Sequence, residues 1–164
     1  MSDRDGMSSF EEFVGARRAA LLRTAFLLTG NNEDAEDLVQ IALLKAVPKW
    51  GRIAEHPEPY VRRILAREAV TRWRARRWRE LGTAAVPDGP SSDPDHTRRL
   101  AVQAALMALP PGQRTVVVLR FYEDLTERET ALALGISIGT VKSQVHAALA
   151  SLRTRLPGLI DALV

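Results

Sequence analysis

The sequence predicts an all-α fold of two small helical domains joined by a flexible linker, and three observations carry that prediction. Apolar residues recur every three or four positions through most of the chain, which is the period of an amphipathic helix. Residues 81–97 hold three prolines and three aspartates but no lysine or arginine, which is typical of an extended linker. Near the C-terminus, Ala131, Gly135 and Val141 have the spacing of a helix-turn-helix.

The first predicted helix follows an apolar stripe between Phe10 and Leu28. Ser9 and Glu12 have the spacing of a capping box, so the helix is expected to begin there. Gly30 is expected to end it, because glycine readily takes the left-handed conformation found at helix C-termini.

Two further helices complete the predicted N-terminal bundle. Asn31 or Asn32 can cap the second helix with a side-chain oxygen, and this helix runs to about Val47. The third helix begins near Pro57–Pro59 and continues to about Glu80.

Four helices are predicted after the linker. Asp93 and Pro94 open the fourth helix of the chain, and the Pro-Pro-Gly run at residues 110–112 ends it. A short apolar helix follows over Thr115–Tyr122, and Thr126 begins the helix-turn-helix. The expected core contacts of the fourth helix are Leu100, Val102, Ala105, Leu106 and Leu109.

The helix-turn-helix prediction depends on three residue types at fixed spacing. Ala131 lets two helices cross closely, Gly135 can take the left-handed turn conformation, and Val141 would pin the second helix to the first. Ser137 can cap that second helix, which would then lie in a DNA major groove. The alternative is a helical hairpin that packs and binds nothing. The expected core residues beside the glycine are Leu134 and Ile136.

Composition narrows the class of protein. The 164-residue chain has no cysteine, which excludes disulfides and thiolate metal sites. Residues 1–20 lack the apolar core of a secretory leader, and no apolar run reaches about 20 residues, so a soluble cytoplasmic protein without membrane insertion is expected. The sequence pI of about 9.8 accompanies a net charge of only +3, so the distribution of charge is more informative than its total.

Charge is segregated along the chain. Residues 31–50 carry four acidic residues against two lysines, which suits a surface that meets protein. Residues 59–80 carry eight arginines and two glutamates, a charge balance typical of a helix that binds the phosphates of a nucleic acid.

Three motifs in this order resemble one known family. The runs Asp34–Gln40, Tyr60–Leu65 leading into Arg72–Arg79, and Gly139–Ser143 followed by His146 resemble bacterial sigma factors of the extracytoplasmic-function group (group 4) of the sigma-70 family, in the sigma-E-like subgroup. The resemblance implies an RNA polymerase sigma factor that binds core polymerase and recognises the −35 and −10 promoter elements. It divides the chain into a region 2-like domain at 8–81, a linker at 82–95 and a region 4-like domain at 96–164.

The resemblance also implies roles for particular residues. Core polymerase would be bound by Asp34, Asp37, Leu38, Gln40 and Ile41. The −10 element would be bound and melted by Arg63, Arg67, Thr71, Trp73, Arg74, Arg76 and Arg77. The −35 element would be bound through Ser137, Thr140, Val141, Lys142, Ser143, Gln144 and His146.

Some of these assignments have a competing interpretation. Asp34 and Asp37 would also complement the positive N-terminus of their helix, and Trp73 could be a core residue. Relatives often have Asn at the position of Arg67 and a small or neutral residue at that of Glu68, so which base this pair reads, if any, stays open. Relatives also often carry Arg at the places of Gln144 and Ala147, so weak binding by the isolated helix is expected.

The implied partners are core RNA polymerase, through its largest and second-largest subunits, and promoter DNA, with an anti-sigma factor as a further candidate. No cofactor, metal or catalytic activity is expected, because His56, His96 and His146 are scattered and no catalytic pattern accompanies them. The alternative functions are an autonomous dimeric helix-turn-helix regulator, which would protect a palindrome, and an RNA-binding protein that uses the arginine-rich helix.

Overall fold

The computed structural model describes residues 3–79 and 93–158, with side chains described for 3–72 and 93–158. All regular structure in these residues is helical, so the predicted all-α class is confirmed. The helices are α1 (Asp3–Thr29), α2 (Asn32–Ala46), α3 (Trp50–Ile53), α4 (Pro57–Arg79), α5 (Pro94–Met107), α6 (Pro111–Val117), α7 (Glu127–Leu134) and α8 (Ile138–Arg155). We call α1–α4 the N-terminal half and α5–α8 the C-terminal half.

The junction between α1 and α2 forms as predicted. Gly30 has a φ of 84°, which lies in the left-handed region, and its amide donates to the carbonyl of Phe26. Asn31 then caps α2 by accepting a hydrogen bond from the amide of Asp34 at 2.8 Å. These two residues reverse the chain, so that α1 and α2 pack side by side.

The predicted start of α1 at Ser9 is wrong. The helix begins at Asp3, two turns earlier, and Ser9 lies within it. The Ser9 hydroxyl accepts a hydrogen bond from Nε1 of the buried Trp50 at 3.3 Å. The same indole packs against Phe10 and Phe13, with ring centroids 5.2 and 5.4 Å away. This contact with α3 extends the packed part of α1 toward its N-terminus, a tertiary effect that local capping patterns cannot indicate.

In the C-terminal half, the first helix begins as predicted, but the second helix differs from the prediction. Asp93 caps α5 by accepting from the amide of Asp95, and Pro94 occupies the first turn. The short apolar helix predicted over Thr115–Tyr122 begins earlier, at Pro111, because proline fits the first turn of a helix, where its missing N–H is not needed. From Val118 to Tyr122 the helix widens into a π-helical turn.

The two halves share one packed interior. Val118 lies in the same buried cluster as Leu21, Leu38 and Leu65 of the N-terminal half, and Ala66 of α4 packs with Leu119, Leu125 and Ala133 of the C-terminal half. The structure therefore brings directly together two halves that the sequence separates by a linker. Residues 80–92, which hold most of the predicted linker, lie outside the described residues.

A buried arginine joins the two halves. Arg114 is only 2% exposed, and its guanidinium donates to the carbonyls of Leu106, Met107 and Leu109 at the end of α5 and of Leu28 at the end of α1, at 2.9–3.2 Å. Desolvation lowers the pKa of Arg114 to about 10, which leaves the guanidinium charged at neutral pH. A cation placed at two helix C-termini offsets the negative end of each helix dipole.

Candidate functional site

The helix-turn-helix forms from α7 and α8 as the sequence predicts. Thr126 accepts from the amide of Glu129 at 3.0 Å, and the Glu129 carboxylate accepts from the Thr126 amide, so a capping box begins α7. Gly135 ends it with a φ of 67°, and the Ser137 hydroxyl caps α8 by accepting from the amide of Thr140 at 3.0 Å. The turn is therefore fixed by a backbone hydrogen bond from Gly135 to Ala131 at its start and by the Ser137 side-chain cap at its end.

Val141 holds α8 against the rest of the motif, as predicted. It is fully buried and packs with Val116 and Ala131. Leu134 and Ile136, the predicted core residues beside the glycine, pack against this cluster. Val141 thus supports α8 from inside. It has no surface available for a base, so the assignment of Val141 to direct contact with −35 DNA is wrong.

The outer face of α8 carries the remaining predicted −35 residues. Thr140, Lys142, Ser143 and His146 are exposed, and Gln144 is half-buried. The Ser143 hydroxyl donates to the carbonyl of Thr140 at 3.1 Å, and the Lys142 ammonium lies 3.9 Å from the carboxylate of Glu127. An exposed pair at that distance contributes little, so Lys142 can exchange this carboxylate for a phosphate.

Gly135 gives a direct test of the turn geometry. We expect Gly135→Ala to lower the free energy of unfolding by about 1–2 kcal/mol, because an L side chain is strained at positive φ. An added Cβ would also stand 3.3 Å from the Arg67 guanidinium. The matched control is Gly15→Ala within α1, where a Cβ meets nothing within 4 Å and helix propensity should stabilise the chain by up to about 1 kcal/mol. Urea denaturation measures both, and equal stability of the two variants would contradict the strained turn.

The arginine-rich helix α4 extends through the predicted −10 residues. Arg63, Arg67 and Thr71 are exposed, and the Thr71 hydroxyl donates to the carbonyl of Arg67 at 3.0 Å. Trp73, Arg74, Arg76 and Arg77 lie on the helical backbone, but their side chains are outside those the structure describes. Whether Trp73 is core or surface therefore stays a prediction.

One of the predicted −10 residues, Arg67, contacts the helix-turn-helix directly. Nε of Arg67 donates to the carbonyl of Ala133 at 2.8 Å, and a terminal nitrogen lies 3.4 Å from the carbonyl of Leu132. Both carbonyls belong to the last turn of α7, where a cation is favoured by the helix dipole. Sequence reasoning assigned Arg67 to DNA alone and missed this contact.

The acidic face of α2 is only partly as predicted. Asp37 and Gln40 are exposed, Ile41 is half-buried, and Asp37 lies 3.6 Å from Arg72 of α4. Leu38, however, is 0% exposed and belongs to the core. Asp34 is also buried, and its carboxylate accepts a hydrogen bond from Nδ2 of the Asn31 side chain at 2.5 Å. The expected outward face of two carboxylates and two aliphatic residues is therefore corrected: Leu38 and Asp34 point inward, since α2 is covered by both α1 and α4.

Two residues that the sequence did not single out connect the halves. Glu123 accepts from Arg62 of α4 at 3.1 Å and from the hydroxyl of the buried Thr24, and Gln103 donates to the carbonyl of Phe26 at 3.2 Å. Arg62 and Glu123 have side chains only 19% and 18% exposed. A charged residue next to an apolar run, such as Glu123 after Val116–Tyr122, is the one sequence signal that could have pointed to this contact.

Two protein-family models match the chain, one on each half of the fold. A model described as Sigma-70 region 2 matches residues 13–79, and a model described as Sigma-70, region 4 matches residues 99–152. Together they cover most of the chain, and they correspond to α1–α4 and α5–α8. The chain belongs to the sigma-70 family of RNA polymerase sigma factors.

Curated relatives place this sigma factor in the group that its motifs resemble. It is 43% identical to the RNA polymerase sigma-E factor of Streptomyces avermitilis, over 90% of this chain and 84% of that protein. It is 42% identical to the protein of the same name from Streptomyces coelicolor, over 90% and 85%. It is 32% identical to the ECF RNA polymerase sigma factor SigE of Mycolicibacterium smegmatis, over 94% and 64%. The predicted extracytoplasmic-function identity is confirmed, and these comparisons give no support to the dimeric regulator.

The fold also matches a solved sigma factor. The structure aligns with the sigma factor RpoE of Bartonella quintana, solved in complex with the anti-sigma factor NepR, with a TM-score of 0.72 over 92% of this chain and 98% of that one. The sequences are 24% identical, so the likeness concerns the fold. Within residues 3–79 and 93–158, no helix has the length and apolar character of a membrane span, and no cluster of three potential metal ligands occurs.

Proposed function

We propose that this sigma factor holds core RNA polymerase through α2 and promoter DNA through α4 and α8. The observation that carries the proposal is the recognition helix, whose polar outer face is presented to solvent by a buried Val141 and a capped N-terminus. The positive end of α8 favours a DNA phosphate near Thr140, and exposed side chains beyond it can reach base edges. The −35 element is thus assigned to Ser137, Thr140, Lys142, Ser143, Gln144 and His146, with Val141 as their support.

The docking of core polymerase is assigned to the exposed part of α2. Asp37 supplies charge, Gln40 a hydrogen-bonding group, and Ile41 a partly exposed apolar contact. Asp34 and Leu38 act by holding this helix in place from the protein interior. Acidic charge here can steer the approach of a basic partner surface, which suits the largest polymerase subunit.

The −10 element is assigned to α4. Arg63, Arg67 and Thr71 lie on its outer surface, and Trp73, Arg74, Arg76 and Arg77 follow on the same helix. A row of cations can follow a DNA backbone, and an indole can stack on an unpaired base. We place the −10 domain at residues 8–81, the linker at 82–92 and the −35 domain at 93–164, because Asp93 already caps α5. In this proposal the chain acts in the cytoplasm and has no catalysis of its own.

Run-off transcription with purified core polymerase tests the proposal. Start sites that depend on this chain are expected on genomic fragments, together with weak binding of duplex DNA by the chain alone. The absence of such start sites, combined with nanomolar binding by the isolated chain and a palindromic footprint, would instead support the dimeric regulator.

The two DNA surfaces can be distinguished with paired variants. Lys142→Ala combined with Ser143→Ala should weaken closed promoter complexes and reduce their salt dependence by about one unit of slope, because one phosphate contact is lost. Arg74→Ala and Trp73→Ala should preserve closed complexes and reduce open ones. A template already mismatched across −10 should rescue only the second pair, and equal rescue of both would contradict the division of roles.

A further inference from the structure

A pocket opens between the first turns of α1 and the segment that follows α2. We call it the α1–α3 pocket, and its volume is about 440 Å³. Its lining is mostly apolar and includes Asp3, Gly6, Met7, Phe10, Val47 and Trp50. The polymerase and DNA contacts assigned above do not include any of these residues, so the proposed function leaves this pocket without a role.

The floor of the α1–α3 pocket is fixed by aromatic packing. Trp50 is buried there, its Nε1 donates to the hydroxyl of Ser9, and its ring packs edge-on against Phe10. A site whose side chains are already ordered loses little conformational freedom when a partner enters it. The pocket is therefore shaped before anything binds.

The rim of the pocket is an exposed apolar surface. Met7 is 52% exposed and Val47 is 39% exposed. Leu44, which precedes Val47 by one helical turn, is 64% exposed. These are three of the seven large apolar residues that are exposed in the described part of the chain. Apolar side chains that gather at one place on a surface mark a site of association.

The lining indicates which kind of group the pocket accepts. A small polar ligand is oriented by several polar groups that converge on it. Among the described residues that line this pocket, only Asp3 carries a charge, and it lies exposed at the rim. An apolar side chain on a protein surface needs no such groups, and side chains of this kind anchor the centres of interfaces. The carboxylate of Asp3 favours a basic residue beside that anchor.

The apolar rim is continuous with the exposed part of α2. Gln40, Leu44 and Val47 follow one another at positions i, i+4 and i+7, so they form one stripe on the helix. Asp37, to which core binding is assigned, lies about 15 Å from Val47 along the helix axis. A stable interface covers roughly 800 Å² on each partner, which is wide enough to include both residues. A partner of ordinary size that docks on α2 thus extends to the mouth of the pocket.

We propose that the α1–α3 pocket is a second docking point for core RNA polymerase, which inserts an apolar side chain there beside its contact with α2. The proposal rests on the proposed function for the identity of the partner. Asp37 on α2 and Asp3 at the rim have the same sign of charge, which suits one basic partner surface that carries the apolar anchor. The charged contact speeds association, and the filled pocket slows dissociation.

The test fills the pocket in the full chain. Gly6→Leu places a side chain in the pocket, and nothing lies within 4 Å of the added Cβ to oppose it. Binding to immobilised core polymerase should weaken about tenfold, mainly through faster dissociation, because the burial of a large apolar side chain is lost. Thermal unfolding should show that the variant is folded, since leucine has a higher helix propensity than glycine.

The matched control is Gly15→Leu. It makes the same change on the same helix, at an exposed position outside the pocket where the added Cβ also meets nothing within 4 Å. It should keep the affinity for core polymerase within about twofold of the wild type. Equal affinities of the Gly6→Leu and Gly15→Leu variants would overturn the proposal.

Salt dependence separates the pocket from the charged contact on α2. The effect of Gly6→Leu should be the same at low and high salt, because an apolar contact is not screened, whereas the effect of Asp37→Arg should change with salt. A Gly6→Leu effect that disappears at high salt would overturn the apolar anchor. If only Asp37→Arg weakens binding, the pocket proposal fails and the α2 assignment stands. If only Gly6→Leu does so, the pocket proposal stands and the α2 assignment fails.

A second copy of the chain is the alternative occupant of the pocket. Analytical ultracentrifugation of the free chain should show a monomer, both for the wild type and for Gly6→Leu. A wild-type dimer that Gly6→Leu converts into a monomer would assign the pocket to self-association and overturn the proposal.

Discussion

Replacement of Arg114 by methionine should lower the free energy of unfolding by about 3–5 kcal/mol. Methionine is apolar and has a long unbranched side chain, so it keeps much of the packing of Arg114. The loss of stability therefore comes mainly from the four buried carbonyls that would be left without a hydrogen-bond donor. Each such group costs about 1–3 kcal/mol when it is unsatisfied, and partial relaxation of two helix ends reduces the total. Urea denaturation followed by circular dichroism measures the effect.

Two further variants define the cause of this loss. Arg114→Lys keeps the charge but offers a compact ammonium that cannot reach all four carbonyls, so an intermediate loss is expected. Arg128→Ala removes an exposed arginine of α7 and should change stability by less than about 0.5 kcal/mol. A loss for Arg114→Met no larger than that for Arg128→Ala would show that the buried guanidinium does not hold the halves together.

Substitution of Asp37 by arginine should weaken binding to core polymerase at least tenfold, an effect of about 1.4 kcal/mol or more. The side chain of Asp37 is 52% exposed. Because Asp34 is buried, Asp37 is the carboxylate that remains available on the exposed part of α2 to which core binding is assigned. The substitution reverses the charge that meets a basic partner, so it should slow association and increase its salt dependence. Surface-bound core polymerase and the purified chain give both rates.

The contact between Asp37 and Arg72 requires a control, because the variant also places two cations together. Arg72→Ala breaks the same pair while leaving the carboxylate, and it should keep core binding within about twofold of the wild type. Asp37→Arg combined with Arg72→Asp restores the pair without restoring the outward carboxylate. If this exchange recovered core binding, the role of Asp37 would be internal and the docking assignment would fail.

Local sequence signals predicted the ends of helices and the turns between them well. Asn31, Asp93, Thr126 and Ser137 all cap helices as expected, and Gly135 takes the left-handed conformation. Each of these outcomes depends on hydrogen bonds within three or four residues, so the sequence contains the whole interaction. The prediction that Ser9 caps a helix was wrong because its hydroxyl binds Trp50, which lies 41 positions away and so gives no local signal.

The faces of helices were predicted less well than their ends. The spacing of Asp34, Asp37, Leu38 and Ile41 placed them on one side of α2, but it could not decide which part of that side is covered. Leu38 is buried because α1 and α4 both pack on α2 and because Val118 of the other half joins their cluster. A periodic pattern specifies relative orientation around a helix, whereas burial depends on what packs there.

The sequence by itself determined the helices, the helix-turn-helix, the charge of α2 and α4, and the sigma-factor family, because each is written in residues close together in the chain. Only the tertiary structure decided that Arg114 caps two helices from different halves, that Glu123 pairs with Arg62, and that Arg67 binds the helix-turn-helix. These contacts join residues 61 to 86 positions apart for which the sequence offers no local partner. Their geometry follows from the packing of the two halves against each other, and that packing depends on apolar surfaces whose fit exists only after the helices have formed.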